Sequence, residues 1–340
     1  MNSQSRALLY CAGGGIGDSL LATVVAQALH LHYARVDALT LPAHGEALHR
    51  VPDVDSVLID AGQDESELAA GLESAQYDAA VITWATLRAA RVAHRAQIPI
   101  RVGQSQRLYS WRFTHRVPVR SEHGDVTSHW SQILLDYPRA IGCAIPSATI
   151  HFVPTRADED AAQELSDELG LHEGAFAIVH PANAAATARG MWPLEGWIDL
   201  VRTIADRFRI PVLVSGGEAD RTIAEGIVVR AGGFSIAGKA NIGTFGALSR
   251  RAAFFAGITT GTMHVAAACG CPTVGIFPFQ TDTPDRWSPL GQRTAIVRAS
   301  YPCPPGERKE TCPDYACIAH LDTPRIVAAI ESLCPVLISQ

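Results

Sequence analysis

Lysine is almost missing from this chain: of 28 basic side chains in 340 residues, only Lys239 and Lys309 are lysines and arginine supplies the rest. That scarcity leaves few positions for a lysine nucleophile, and no G-x-x-x-x-G-K-[ST] phosphate loop occurs. A basic excess is missing as well. The net charge is −6 and the pI about 6.1, which argues against a protein held to nucleic acid by a broad basic field and leaves room only for local basic patches. No run of about 18 apolar residues is present to cross a bilayer, and Met1-Asn2-Ser3-Gln4-Ser5-Arg6 leads into a strand-like segment rather than a signal peptide. The expectation is a cytoplasmic protein without a transmembrane segment. There is no C-x-x-C pair among the eight cysteines, and eight in a chain of this length do not make a small disulfide framework. Cys11, Cys143, Cys269 and Cys271 lie in or beside apolar segments, as buried thiols do. Cys303, Cys312, Cys317 and Cys334 gather near the carboxyl terminus at spacings of nine, five and seventeen, a weak pattern for a metal site. Short-period repeats and low-complexity tracts are also missing.

What is present is length and alternation. At 340 residues and 47% hydrophobic content the chain can bury two ordinary cores, so two domains of about 150 residues are expected. Short apolar segments at 7–12, 36–41, 56–59, 79–83 and 98–102 alternate with helical stretches, and the pattern restarts at 176–179, 211–215, 234–236, 253–256, 273–277 and 294–297. Alternation of this kind predicts α/β halves with parallel sheets. Residues 1–150 form the expected first domain and 151–322 the second, joined through the proline-bearing segment 143–154. A helix over 126–141 closes the first, Thr155 and Asp158 cap the first helix of the second, and a last helix over 323–333 is expected to pack back on the first.

Each half carries a distinctive turn between a strand and a helix, the end of an open α/β sheet where ligands bind. In the second half, Thr259-Thr260-Gly261-Thr262 opens an alanine-rich helix, whose unpaired amides and dipole can hold a phosphate without any lysine. In the first, Gly13-Gly14-Gly15-Ile16-Gly17-Asp18 starts like a dinucleotide fingerprint but puts Asp18 where its third glycine belongs. A carboxylate there repels a pyrophosphate and suits the removal of a proton; its bland alternative is a helix cap. Between 104 and 125, arginines and aromatics interleave, with Arg107, Arg112, Arg116 and Arg120 as candidate contacts to an anionic or sugar-bearing acceptor.

Gly14-Gly15-Ile16-Gly17-Asp18-Ser19-Leu20-Leu21 resembles the amino-terminal GD motif of the heptosyltransferases, glycosyltransferase family 9. Gly257-Ile258-Thr259-Thr260-Gly261-Thr262-Met263-His264-Val265-Ala266-Ala267-Ala268-Cys269-Gly270-Cys271-Pro272-Thr273-Val274 resembles that family's DTG…HLAAALG.P.V signature. His180-Pro181-Ala182 with Met191-Trp192-Pro193-Leu194-Glu195-Gly196-Trp197 is similar to its P-G…K.WP.E.W segment, and Ala237-Gly238-Lys239 to its AGK; His129 also matches a family spacing. The likeness runs over nearly the whole chain.

The resemblance implies a GT-B fold, two facing Rossmann-like domains with a cleft, and inverting, metal-independent transfer of a sugar from a nucleotide donor. Members of the family commonly use ADP-heptose and build the inner core of lipopolysaccharide. No cofactor is implied. By position, Asp18 is the general base and Gly15 lies beside the acceptor. Thr260, Gly261, Thr262 and Met263 present amides to the donor diphosphate, with His264 nearby. Glu218, Lys239, Ala240 and Ile242 surround the nucleoside. Two departures stand out: Thr259 replaces the aspartate of DTG, and the family lysine near WP is missing, with Arg189 the nearest substitute for its charge. The implied partners are a nucleotide-sugar and a glycan, lipid-linked or small-molecule acceptor, with peripheral membrane association left open. The alternatives are a nucleotide-sugar epimerase of the same fold and a catalytically degenerate sugar-nucleotide-binding protein.

Overall fold

The computed structural model describes residues 4–181, 192–303, 312 and 314–338. It divides into two compact units, Met1–Val153 and Pro154–Gln340, so the boundary falls at Pro154, the proline that ends the expected linker.

The first unit alternates β1 (Arg6–Tyr10), α1 (Ile16–His30), β2 (Arg35–Thr40), α2 (Pro42–Leu48), β3 (Ser56–Ile59), α3 (Glu65–Ser74), β4 (Ala79–Ile82), α4 (Leu87–Arg95) and β5 (Ile100–Gln104). It ends with β6 (His115–Val117), α5 (Trp130–Leu134) and α6 (Asp136–Arg139). The strands form one sheet in the order β3-β2-β1-β4-β5-β6. Pairing is parallel, with Tyr10 level with Leu39 on one side and Ile82 on the other. Because helices cover both faces, β1 and β4 are apolar runs without alternation. In α1 every residue from Ser19 to Leu29 is buried, so this helix shows no polar stripe.

Two sequence expectations change here. The helix expected over 126–141 begins only at Trp130, capped by the His129 side chain on the Ser131 amide. It divides at Leu135 into two short pieces, and Pro138, with no N–H to donate, falls in the first turn of the second, where none is needed. The stretch expected to be irregular holds the edge strand β6, three residues long and too short for periodicity to show.

The second unit holds α7 (Arg156–Glu168), β7 (Ala177–His180), α8 (Leu194–Phe208), β8 (Val212–Val214), α9 (Arg221–Ala231), β9 (Phe234–Ser235) and α10 (Ile242–Arg251). There follow β10 (Phe254–Ile258), α11 (Gly261–Ala268), β11 (Thr273–Phe277), α12 (Pro284–Trp287), β12 (Thr294–Arg298) and α13 (Thr323–Leu333). Its sheet runs β12-β11-β10-β7-β8-β9. Counted within the unit, that is the winding of the first sheet again. The expected cap at its start is present: the Asp158 amide donates to Thr155 Oγ1 at 3.2 Å while the Thr155 amide donates to Asp158 Oδ2 at 2.8 Å. The sequence reading set α13 against the first domain. Instead Ile326, Val327 and Ile330 bury its apolar face in the core of the second unit, with Trp197, Leu200 and Val274. Among the described residues, no helix is long and apolar enough to cross a membrane.

Gly257 pairs with His180 across β10 and β7. A Cβ at Gly257 would lie 2.8 Å from His180 Cβ and 3.0 Å from its carbonyl oxygen, and backbone cannot give way as a side-chain tip can. Gly257→Ala is therefore expected to destabilise the second unit by about 1–3 kcal/mol. The measurement is the urea midpoint of that unit's transition at unchanged m-value; an unmoved midpoint would show that the two strands separate freely.

Candidate active site

In an open sheet wound this way, ligands bind outside the carboxyl ends of the two strands where the winding reverses. In the first unit these are β1 and β4. From β1 the chain passes through Cys11-Ala12-Gly13-Gly14-Gly15 into α1, with Gly14 at φ +67°. Asp18, in the first turn of α1, accepts a hydrogen bond from the Gly15 amide at 2.8 Å. From β4 come Thr83 and Trp84. Cys11, Gly13, Asp18, Thr83 and Trp84 line one small pocket with Trp130 and Leu134. The Trp84 indole lies so close over Gly13 that a Cβ there would fall 1.9 Å from its ring. A Cβ on Gly14 would meet Asp18 Oδ2 at 2.5 Å. The glycines thus make room for the carboxylate and the indole.

The electrostatics favour a base. Burial raises the Asp18 pKa above the ordinary carboxylate value, against the Gly15 amide and the His44 charge, which lower it. His44 is itself buried, and burial lowers its pKa while Asp18 raises it. Its Nδ1 lies 2.9 Å from Ser19 Oγ, which donates to the Cys11 carbonyl at 3.2 Å. The capping role alone does not single out Asp18: the Gly217 amide donates to Asp220 at 2.9 Å in the same pattern, at the end of β8. What distinguishes Asp18 is its place at the reversal of the sheet, together with its burial.

In the second unit the reversal lies between β7 and β10. At the end of β10, Thr260 caps α11 in extended conformation without a side-chain cap bond, and its hydroxyl pairs instead with Thr262 Oγ1 at 2.6 Å. The Met263 amide is engaged by the Thr260 carbonyl at 3.1 Å. Of the amides expected to face a diphosphate, those of Thr260, Gly261 and Thr262 are thus the ones without an acceptor among the described residues. His264 is buried on α11. At the end of β7, His180 places Nδ1 3.0 Å from Ser215 Oγ and stacks on Phe255. Arg189 lies outside the described residues, as does Ala182.

The expected nucleoside residues come from adjoining loops. Gly238, at φ +73°, donates its amide to the Gly216 carbonyl at 3.0 Å, and a Cβ on it would meet Glu218 Oε2 at 2.2 Å. Glu218 is 71% exposed in its side chain and pairs with Arg221 at 2.5 Å. Lys239 is exposed, Ala240 is half-buried and Ile242 opens α10 behind the Asn241 cap.

The four candidate acceptor arginines do not form one basic surface. Arg120 is held by Asp136 at 2.6 Å, Asp125 at 3.0 Å and Ser128 at 2.9 Å, where it fastens the segment ahead of α5. Arg107 pairs with Glu122 at 2.5 Å. Arg112 stacks on Trp111, and Arg116 is exposed. The carboxyl-terminal cysteines have separate partners: Cys312 Sγ accepts from the Tyr315 amide, Cys317 Sγ from the Gln280 amide, and Cys334 donates to the Ala253 carbonyl. Among the described residues, no three ligating side chains gather around a metal position.

Trp84, Trp130 and His44 were missed by sequence reasoning. Only the strand order, which brings the end of β4 beside that of β1, makes the residues after Ile82 part of the site.

Two six-stranded parallel sheets of identical winding, covered by helices, make up the GT-B class of α/β architecture. The chain belongs to glycosyltransferase family 9 (heptosyltransferase), whose family model matches residues 66–316. It is a glycosyltransferase. Among solved structures, a family 9 glycosyl transferase from Veillonella parvula DSM 2008 superposes with a TM-score of 0.82 at 17% identity, over 99% of this chain and 98% of its own. ADP-heptose lps heptosyltransferase II of E. coli gives 0.76 at 16% identity, over 97% and 99% of the two chains. E. coli heptosyltransferase WaaC with ADP gives 0.72 at 17% identity, over 96% and 99%. A comparison with curated proteins gave no match.

Proposed function

We propose that the protein transfers a heptose-like sugar from ADP-heptose to a hydroxyl of a glycan, lipid-linked core or small-molecule acceptor, with inversion and without a metal, in the cytoplasm. Asp18 removes the acceptor proton as the hydroxyl attacks the anomeric carbon. The Thr260, Gly261 and Thr262 amides take up charge developing on the departing diphosphate. Fixed N–H donors at a helix terminus do this without reorganisation. Arg189 adds a cation to the same phosphate, and Glu218, Lys239, Ala240 and Ile242 hold the nucleoside. Thr259, uncharged where the family has an aspartate, leaves the donor side of α11 without a carboxylate to repel the diphosphate.

The observation that carries this reading is positional. A partly buried carboxylate after the first strand of one unit and a helix terminus with three open amides after the fourth strand of the other each stand beside the reversal of the same winding. The test is a thermal-shift screen of ADP, GDP and UDP and their sugars, followed by mass analysis of acceptor products. Stabilisation by ADP and its heptose conjugate, with a mass gain of one heptose on the acceptor, is the expected result. A shift with UDP or GDP alone would replace the donor, and conversion of free donor without any acceptor would turn the assignment to an epimerase.

A further inference from the structure

We propose that Trp84 selects the acceptor: its indole receives the C–H face of an uncharged sugar ring and its Nε1–H donates to a hydroxyl of that ring, while the reacting hydroxyl faces Asp18. The inference rests on the assignment of Asp18 as the base, and it narrows the acceptor from any hydroxyl compound to a neutral pyranoside.

Trp84 combines an apolar surface with an open donor. A Cβ built on Gly13 would fall 1.9 Å from Trp84 Cδ1 and 2.3 Å from Nε1, so the pyrrole side of the indole is seated on the glycine backbone. The residue is nevertheless 39% exposed, and its Nε1–H has no acceptor among the described residues. A tryptophan that served only the core would bury its rings and satisfy its N–H. This one stands in the pocket that holds the Asp18 carboxylate, beside the exposed Gly14 and Gly15.

The chain on both sides of Trp84 is fastened. The Thr83 amide donates to the Tyr10 carbonyl at 3.1 Å, and the Ala85 carbonyl accepts from the Tyr109 hydroxyl at 2.5 Å. Thr86 Oγ1 caps α4 by accepting from the Ala89 amide at 3.1 Å. In the first turn of that helix, Arg88 Nη2 donates to Asp60 Oδ1 at 2.7 Å and to the Gln63 carbonyl at 2.8 Å. Asp60 in turn accepts from the Tyr10 hydroxyl at 2.5 Å, and Tyr10 ends β1, the strand that leads to Asp18. Indole and carboxylate are therefore held from one frame, which lowers the ordering cost of binding a ligand between them.

Charge decides the class of sugar. Asp18 is the one formally charged side chain that lines the pocket among the described residues. Arg88, the cation nearest to Trp84 in sequence, is held by Asp60 and Gln63. His44 is buried, which works against its carrying a charge. A carboxylate or phosphate on the sugar ring would thus meet Asp18 with no cation to offset it, a repulsion that partial burial strengthens. An uncharged pyranoside offers what the site takes, C–H groups for the indole and hydroxyls for its N–H.

The experiment titrates methyl mannopyranoside, methyl glucopyranoside and methyl galactopyranoside into the full chain, alongside methyl glucuronide and methyl mannoside 6-phosphate. Saturation-transfer NMR reports which sugar protons touch the protein. At least one neutral glycoside is expected to bind, with saturation strongest on one face of its ring, and its charged counterpart to bind at least about tenfold more weakly. Trp84→Ala should weaken the neutral glycoside by at least about tenfold. Trp84→Phe, which keeps a ring face and loses the N–H, should weaken it by about two- to tenfold. Asp18→Asn should lift the discrimination against the charged sugar. A thermal melt of each variant confirms folding. Unchanged glycoside affinity in Trp84→Ala would overturn the proposal, as would equal binding of neutral and charged sugars or a wild type that binds no neutral glycoside. Failure of the catalytic reading looks different: Asp18→Asn would then still transfer sugar, while Trp84→Ala would still lose the glycoside.

Discussion

Asp18→Asn is expected to lower acceptor-dependent turnover by about 10³-fold, within the range a positioned general base supplies, while ADP affinity stays within about twofold of wild type. The amide keeps the size of the side chain and can still accept from the Gly15 amide, which now bonds Oδ2 at 2.8 Å, so the glycine turn is preserved. Stability should not fall. Burial raises the folded-state pKa of Asp18, so at pH values between its ordinary and its raised pKa the folded protein holds a proton that the unfolded chain has lost. Its contribution to stability is therefore present at low pH and is lost as pH rises through the raised value. At neutral pH the charged form is a cost that asparagine removes. Loss of turnover with an equal or higher melting temperature is thus the combined signature. In the wild type, kcat/KM should decline on acidification through a pKa above the usual carboxylate range. Undiminished transfer by the asparagine variant would leave Asp18 as a cap only, like Asp220.

The sequence made the architecture legible because parallel strands buried on both faces read as apolar runs, and because Gly13–Asp18 and Thr259–Thr262 punctuate them with residues a plain strand-helix turn does not need. Both turns were found from residue type alone. Strand order was not legible, since periodicity says that a segment is a strand and not which strand lies beside it. Trp84 therefore gave no sign that it borders Asp18. The arginines of 104–125 show a different limit. Composition made Arg107, Arg112, Arg116 and Arg120 equivalent, whereas Glu122, Asp125 and Asp136 occupy two of them with internal ion pairs. These partners lie 5 to 16 residues away in the chain, and no helical or strand periodicity links them. The last helix was placed in the wrong unit for a similar reason: an amphipathic helix declares that it has an apolar face, but not which core receives it.

Gly261→Pro is expected to weaken ADP binding by about 10- to 150-fold, the effect of removing one hydrogen bond to a charged group worth about 1.5–3 kcal/mol. Gly261 is the first residue of α11, where proline's fixed φ suits the helix and its missing N–H breaks no intrahelical bond. Thr260, at φ −131° and ψ 175°, already has the extended backbone that a residue before proline requires. The substitution therefore deletes an amide and little else, and the melting temperature without ligand should hold. Gly261→Ala keeps the amide and is the control for crowding. If alanine binds ADP nearly as wild type does while proline does not, the open amide is the phosphate donor. Should alanine fail as badly as proline, space around the turn is the cause. Should proline bind normally, α11 does not clamp the diphosphate, and the leaving group must be held by side chains instead. The proposal bears on Thr259 as well: replacing that threonine by aspartate should weaken ADP binding if the position faces the phosphates, and leave it unchanged if the position faces the sugar.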